Sequence, residues 1–369
     1  ALVAVLLLGS RAGHAAAPPV VINEIMAGNA ATNLDPVYVN YVPWLELHNS
    51  GAAAVNLGGY TVTEDPADPT GYALPAGTSI PAGGYLIIWM DELATGLHAD
   101  FELDMRGGDM ALFMPDGTLV DSLTYDDQLV DVSYGRQPNG GGTWAYFDQP
   151  TPGANNGAAG LATPDQADGP VFSPPGGFYA AGQSVSLASG QGGVIRYTTD
   201  GSLPSATSPV YSAPIAVNAP RVIRARVFDA PGLLASRAAT ATYLIGFDTD
   251  LAVASLATDP KHLFDTKIGI YVVGTNGARG RCGPRYANWN QPWERPVSFE
   301  FFETDGSRAF QQDLGFEIQG DCTRAMPQKS LELKTRRRYG DNTLDYAIFP
   351  GNPLDEYRRL VLRAGGNHN

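Results

Sequence analysis

Cations are scarce at the front of this 369-residue chain. Between Pro18 and Gly157 there are 18 Asp and Glu but only two Arg, Arg106 and Arg136, a balance of −16. Such a surface repels polyanions, which excludes nucleic acid and anionic lipid as its partners. Solubility is the plain consequence of the acidity. Cation binding by the clustered Asp is a lesser alternative, and no EF-hand loop spacing supports it. The rest is near neutral: +1 over 158–246 and zero over 247–369.

Cysteine is almost missing. Cys282 and Cys322 are the two, no C-x-x-C occurs, and five His are scattered, so a structural zinc site has nothing to build on. The pair lies in one C-terminal region, where an oxidising compartment favours a disulfide over two free thiols. Long apolar runs are missing too. The one strongly apolar stretch, Ala1 to Leu8, is too short to cross a bilayer. Gly9-Ser10-Arg11 and Ala15-Ala16-Ala17 follow it, an A-x-A cleavage pattern. Residues 1–17 therefore read as part of a secretory signal peptide, with a buried N-terminal strand as the alternative. The mature chain is expected to start near Pro18 and to be secreted or held at the cell surface. No P-loop, G-x-S-x-G elbow, H-E-x-x-H or kinase-type Gly-rich loop is present.

Helical periodicity is also rare. With 43 Gly and 28 Pro, turns are frequent, and the length suits two or three domains. From Pro18 to about Asn156 short strands recur: Val20–Met26, Trp44–Asn49, Val55–Glu64, Gly84–Glu92, Met110–Met114 and Thr118–Tyr125, with Pro115-Asp116-Gly117 as a hairpin turn. This spacing predicts a β-sandwich. Asn23-Glu24-Ile25, Trp44-Leu45-Glu46-Leu47-His48-Asn49, Asn56-Leu57-Gly58-Gly59-Tyr60 and Thr151-Pro152-Gly153-Ala154-Asn155 resemble the lamin-tail family. The resemblance implies an immunoglobulin-like module, with Trp44 in its core and Asn23 and Asn49 bonding backbone turns.

Residues 157–169 read as a linker. Strands resume at 170–246, and in the run from Arg221 to Asp229 the residues Ile223, Ala225 and Val227 alternate inward while Arg224 and Arg226 point out. Ile195-Arg196-Tyr197-Thr198-Thr199-Asp200-Gly201-Ser202-Leu203-Pro204 resembles the C-terminal domain of chitobiases and β-hexosaminidases, which implies a fibronectin type III-like accessory sandwich. A spacer role is the default for such a module, with glycan contact through exposed Tyr as the alternative. A glycosidase carboxylate pair belongs on a separate barrel.

The last stretch, 247–369, predicts strands at Ile268–Gly274, Pro296–Glu303, Leu314–Gln319, from Lys329 onward, and Arg358–Gly365, with one helical turn near Asp259–Phe264. Lys329 shares a face with Leu331 and Leu333, so its ammonium must snorkel, pair, or point at an anion. Trp293-Glu294-Arg295-Pro296-Val297, Ile318-Gln319-Gly320, Pro327-Gln328-Lys329-Ser330-Leu331-Glu332-Leu333-Lys334 and Leu360-Val361-Leu362-Arg363-Ala364-Gly365-Gly366-Asn367 resemble the N-terminal part of the spore-coat protein H (CotH) kinase-like family.

That resemblance implies a secreted α+β kinase architecture using ATP and Mg²⁺ on a protein substrate, with Lys329 at the nucleotide phosphates and Arg324 assisting. A buried structural ion pair is the alternative for Lys329. Gln328 departs from the family, which commonly carries a basic residue there. The family's metal carboxylates and catalytic loop lie beyond the Leu-Arg-x-Gly-Gly-Asn strand, so the 369 residues are expected not to transfer phosphate. Arg336-Arg337-Arg338 reads as a solvated basic edge, or else a contact to an acidic partner or to the acidic first module. The expected whole is mainly β and multidomain: two immunoglobulin- or fibronectin-like sandwiches, then the β-rich front of a kinase-like domain. A non-catalytic surface scaffold and a carbohydrate-associated binding protein are the competing functions.

Overall fold

A computed structural model describes residues 18–157 and 160–364 of the chain. The signal-peptide reading (1–17) and the Gly-Gly-Asn end (365–369) fall outside the described residues. The fold is mainly β and multidomain.

In the first module, two sheets face each other. One has the order Trp144–Phe147, Ser133–Arg136, Val20–Met26, Trp44–Asn49, Tyr85–Met90, His98–Ala99. The other runs Leu119–Tyr125, Gly108–Phe113, Thr61–Thr63, Tyr72–Ala73. Alternation fills the space between them: Leu45 and Leu47 join Ile22, Val62 and Leu112 in one apolar cluster. Their neighbours Trp44 and Glu46, on the opposite face of the strand, are buried as well. Trp44 packs with Met26 and Trp89, and Glu46 accepts the Gly153 amide at 2.5 Å. Asn49 closes its turn by donating to the carbonyls of Ala53, Ile80 and Pro81.

The second module is a smaller sandwich. Val171–Ser173, Gln183–Ala188 and Ile215–Val217 form one sheet; Gly177–Tyr179, Ala239–Ile245, Arg221–Phe228 and Val194–Thr198 form the other. Ile223, Ala225 and Val227 are fully buried between them. Arg224 and Arg226 do project from the opposite face, yet that face is not open to water. Arg224 is only 8% exposed, because other parts of the molecule cover it.

The third module is built on a five-stranded antiparallel sheet, Val253–Ala257, Arg295–Phe302, Arg308–Gln319, Ser330–Lys334 and Arg359–Leu362, each strand paired to the next in sequence. Leu333 sits opposite Phe316 and Leu331 opposite Ile318. Burying side chains of this size gives roughly 1.5–3 kcal/mol each. A short helix, Pro260–Phe264, is capped by the Asp259 carboxylate on the Lys261 amide.

Ile268–Gly274, an apolar run that predicts a strand, is not one. Its polar backbone groups are taken by side chains and by the preceding turn. The Arg295 guanidinium binds the Ile268 carbonyl through both Nε and Nη2, Asn288 binds the Gly269 carbonyl, and the Ile270 amide donates to His262 O.

The loop from Leu34 to Tyr41 of the first module enters the third. Leu34 and Val39 pack in its core, Trp293 Nε1 donates to Tyr38 O at 2.8 Å, and Arg295 Nη1 donates to Val39 O at 2.9 Å. Val39 holds φ +60°, which costs a β-branched residue of order 1–3 kcal/mol, so the docked contacts must outweigh it.

Candidate functional site

The strand Arg308–Gln319 ends at Gly320 (φ +113°), and a 3-10 turn, Cys322–Ala325, leads into the connector before Ser330–Lys334. Cys322 is bonded to Cys282, Cα–Cα 5.0 Å, which ties the connector to the small ladder of Ala278–Arg279 with Tyr286–Ala287. Arg324 grips the backbone on both sides, with Nε on Gly320 O at 2.5 Å and Nη1 on Trp289 O at 2.9 Å.

Lys329 stands one residue before its strand and is 6% exposed. Its ammonium donates to the carbonyls of Arg324 (2.5 Å) and Met326 (2.8 Å). It lies 3.9 Å from the Trp289 ring centroid and 5.2 Å from that of Tyr271, and the Tyr271 hydroxyl receives the Lys329 amide. Burial lowers the ammonium pKa from its ordinary value. Among the described residues no carboxylate pairs with Lys329 or Arg324, so the ion-pair alternative for Lys329 does not hold. The two cations instead have neutral partners, carbonyl dipoles and π-faces. A phosphate would compete with carbonyls there rather than with an acid, and the pair suits it in charge.

No cluster of three acids or histidines with metal-ligand spacing lies beside them among the described residues. The one group of three acids or histidines with metal-ligand spacing among the described residues is Asp35, Asp91 and His98, in the first module. There Asp91 already pairs with His98 Nδ1 at 2.9 Å, and Asp35 accepts the amides of Val37 and Tyr38.

A second polar centre was not legible in the sequence. Glu294 is 6% exposed and receives Arg338 (2.6 Å), Arg336 (3.1 Å) and the Tyr339 hydroxyl (2.9 Å), with Lys334 Nζ at 3.8 Å. Lys334 pairs more closely with Glu317, at 2.8 Å. Gly315 makes room for this, since a Cβ there would lie 2.5 Å from Glu294 Oε1 and 2.6 Å from the Tyr339 ring. Burial acts to raise the Glu294 pKa, but Arg338 and Arg336 together outweigh it and hold the carboxyl below its ordinary value.

The Arg336–Arg338 run is therefore only partly solvated, since Arg336 and Arg337 are 46% and 40% exposed and Arg338 17%. Arg336 and Arg338 turn to Glu294, and Arg337 reaches Asp127 of the acidic first module at 3.2 Å. The 42- and 44-residue separations hid the Glu294 pairs from local pattern reading.

Two segments match known families. Residues 14–127 match the Lamin Tail Domain, and 174–238 match the Chitobiase/beta-hexosaminidase C-terminal domain. The chain thus carries both β-sandwich modules. The first sheet also takes in Ser133–Arg136 and Trp144–Phe147, beyond the matched range. No curated protein matches the chain.

Proposed function

We propose that this chain is the front of an exported, multi-module CotH-type kinase-like protein. In this reading the two sandwiches hold a nucleotide-binding sheet, and Lys329 and Arg324 meet the phosphates of ATP. The observation that supports it most is a buried ammonium on the core side of the sheet with no acid against it. Bound ATP would supply the phosphoryl group. This chain's own part is to present two cations whose carbonyl partners are exchangeable, with Lys329 further fixed by the Trp289 and Tyr271 rings. Export agrees with the apolar run at 1–8, the A-x-A pattern and the disulfide.

Calorimetric titration with ATP, with and without Mg²⁺, tests the reading. The protein is expected to bind ATP, and Lys329→Met to weaken binding at least tenfold while melting as a folded protein. A second reading, a non-catalytic surface scaffold, is favoured by the completeness of the Lys329 cage and by the buried contacts between modules. Absence of ATP binding, or binding indifferent to Lys329→Met, would leave that reading standing.

A further inference from the structure

Where the three modules meet there is a cavity of about 450 Å³, within the size range of small-molecule sites. Its walls come from the first module (Ala31, Asp131), the second (Arg224, Arg226) and the third (Asp259, Asp313). The charges around it number four acids and four cations, with His262 neutral at ordinary pH because burial lowers its pKa to about 3.

Most of these charges are already engaged. Asp313 pairs with Arg237 at 3.1 Å and Asp259 with Lys261 at 3.1 Å. Asp131 accepts the amides of Ala30 and Ala31 and the Thr32 hydroxyl, and Asp148 accepts the Ala235 amide. Arg224 and Arg226 remain. They stand two residues apart on Arg221–Phe228, and so on one face of the sheet. Neither has a carboxylate within ion-pair distance among the described residues.

Arg226 gives Nε to Ser236 O at 2.7 Å. Arg224 gives Nη1 to Gly201 O at 3.2 Å, while its buried Nε has no hydrogen-bond partner. Asp259 and Asp313 act on Arg224, and Asp131 and Asp148 on Arg226, only across a distance, so each guanidinium lacks a contacting acid, and the unmade buried hydrogen bond adds to that cost. An oxyanion satisfies both, because a planar guanidinium fork matches carboxylate and phosphate oxygens.

We infer that the junction cavity is a binding site for a small organic oxyanion, held by Arg224 and Arg226 and enclosed by the neighbouring modules. The apolar part of the lining, Leu203, Pro296 and Val297 among it, suits the body of such a molecule. This site is separate from Lys329 and stands whether or not the nucleotide reading does.

The test uses the whole chain at constant ionic strength, with inorganic phosphate, glucose 1-phosphate and galacturonate as probes and sodium chloride as the control. Saturable binding of at least one probe is expected, read by calorimetry and by a rise in melting temperature. Phosphate esters without galacturonate would identify a phosphate ligand, and the converse a carboxylate; either supports the site. Arg224→Met is expected to weaken the bound probe at least tenfold. Ala206→Phe, which fills the cavity without touching either guanidinium charge, should do the same and covers the case in which Arg224→Met does not fold. No saturable binding of any probe, or binding that survives both cavity variants, overturns the proposal.

Discussion

Glu46 in the first sandwich and Glu294 in the third module are both nearly closed to water, 0% and 6% exposed, and they end in opposite states. Glu46 meets only neutral donors, the Gly153 amide and Asn23 Nδ2, so burial raises its pKa to about 8. Glu24 beside it is raised for the same reason. Glu294 meets two guanidinium groups and stays ionised. The difference lies in where the cations are: two Arg serve all of 18–157, while the third module carries 16 Lys and Arg. Glu46 is thus stable as an acid, and Glu294 as the centre of an ion cluster.

The comparison breaks most visibly at Glu294. Glu294→Ala leaves Arg338, its side chain 17% exposed, and the Tyr339 hydroxyl without their acceptor. Breaking a buried pair from one side costs about 3–5 kcal/mol. Urea unfolding should show a loss of that size, and a loss under ~1 kcal/mol would mean the cluster is solvated.

Glu46 gives the opposite pH behaviour. Its folded pKa lies above the unfolded value of 4.5, so its contribution to stability is complete below pH 4.5 and is lost as pH rises through about 8. The unfolding free energy measured in urea from pH 5 to 8.5 should fall, by no more than ~1.4 kcal/mol per pH unit from this one group. Glu46→Gln should flatten the profile, and an unchanged slope would assign it elsewhere.

His262 sharpens the contrast at the contact between the modules. It lies between the Tyr41 hydroxyl (3.0 Å) and that of Thr258 (3.1 Å), and burial depresses its pKa to about 3 from 6.5. Its contribution is complete above pH 6.5 and is lost as pH falls toward 3. The wild-type protein should therefore lose stability between pH 6.5 and 4.5 relative to His262→Phe, although that variant is weaker at pH 7 by ~1–3 kcal/mol. Equal acid sensitivity of the two proteins would exclude the effect. The smallest change is expected at Arg337, 40% exposed, against Asp127, 71% exposed. Arg337→Ala should alter stability by about 0–1 kcal/mol, and that difference should vanish in high salt.

Much of the architecture is legible as alternation. Leu314, Phe316 and Ile318 read inward and are buried, and the six residues Trp44–Asn49 form a strand as their pattern predicts. Pattern fails where burial is imposed by another module. Arg224 points away from its own core, correctly read, yet ends buried because a pleat says nothing about what covers its outer face. Ile268–Gly274 has strand composition but gives its carbonyls to Arg295 and Asn288, contacts made across 19 to 27 residues.

Lys329 shows both sides. The sequence places its ammonium inward, whereas the carbonyls and rings that hold it come from the connector's own turn and from Trp289 and Tyr271. Glu294 lies within the Trp293-Glu294-Arg295-Pro296-Val297 motif, but its role depends on a three-arginine turn more than 40 residues later.

All four lysines, Lys261, Lys267, Lys329 and Lys334, lie in the third module. Lys334 is committed to Glu317 and Glu294, whereas among the described residues Lys329 has only neutral partners. Titrating ¹⁵N-lysine-labelled protein with ATP and following the side-chain ammonium resonances tests this division directly. The Lys329 signal should shift saturably while that of Lys334 stays in place. A shift confined to Lys334, or none at either residue, would contradict the account.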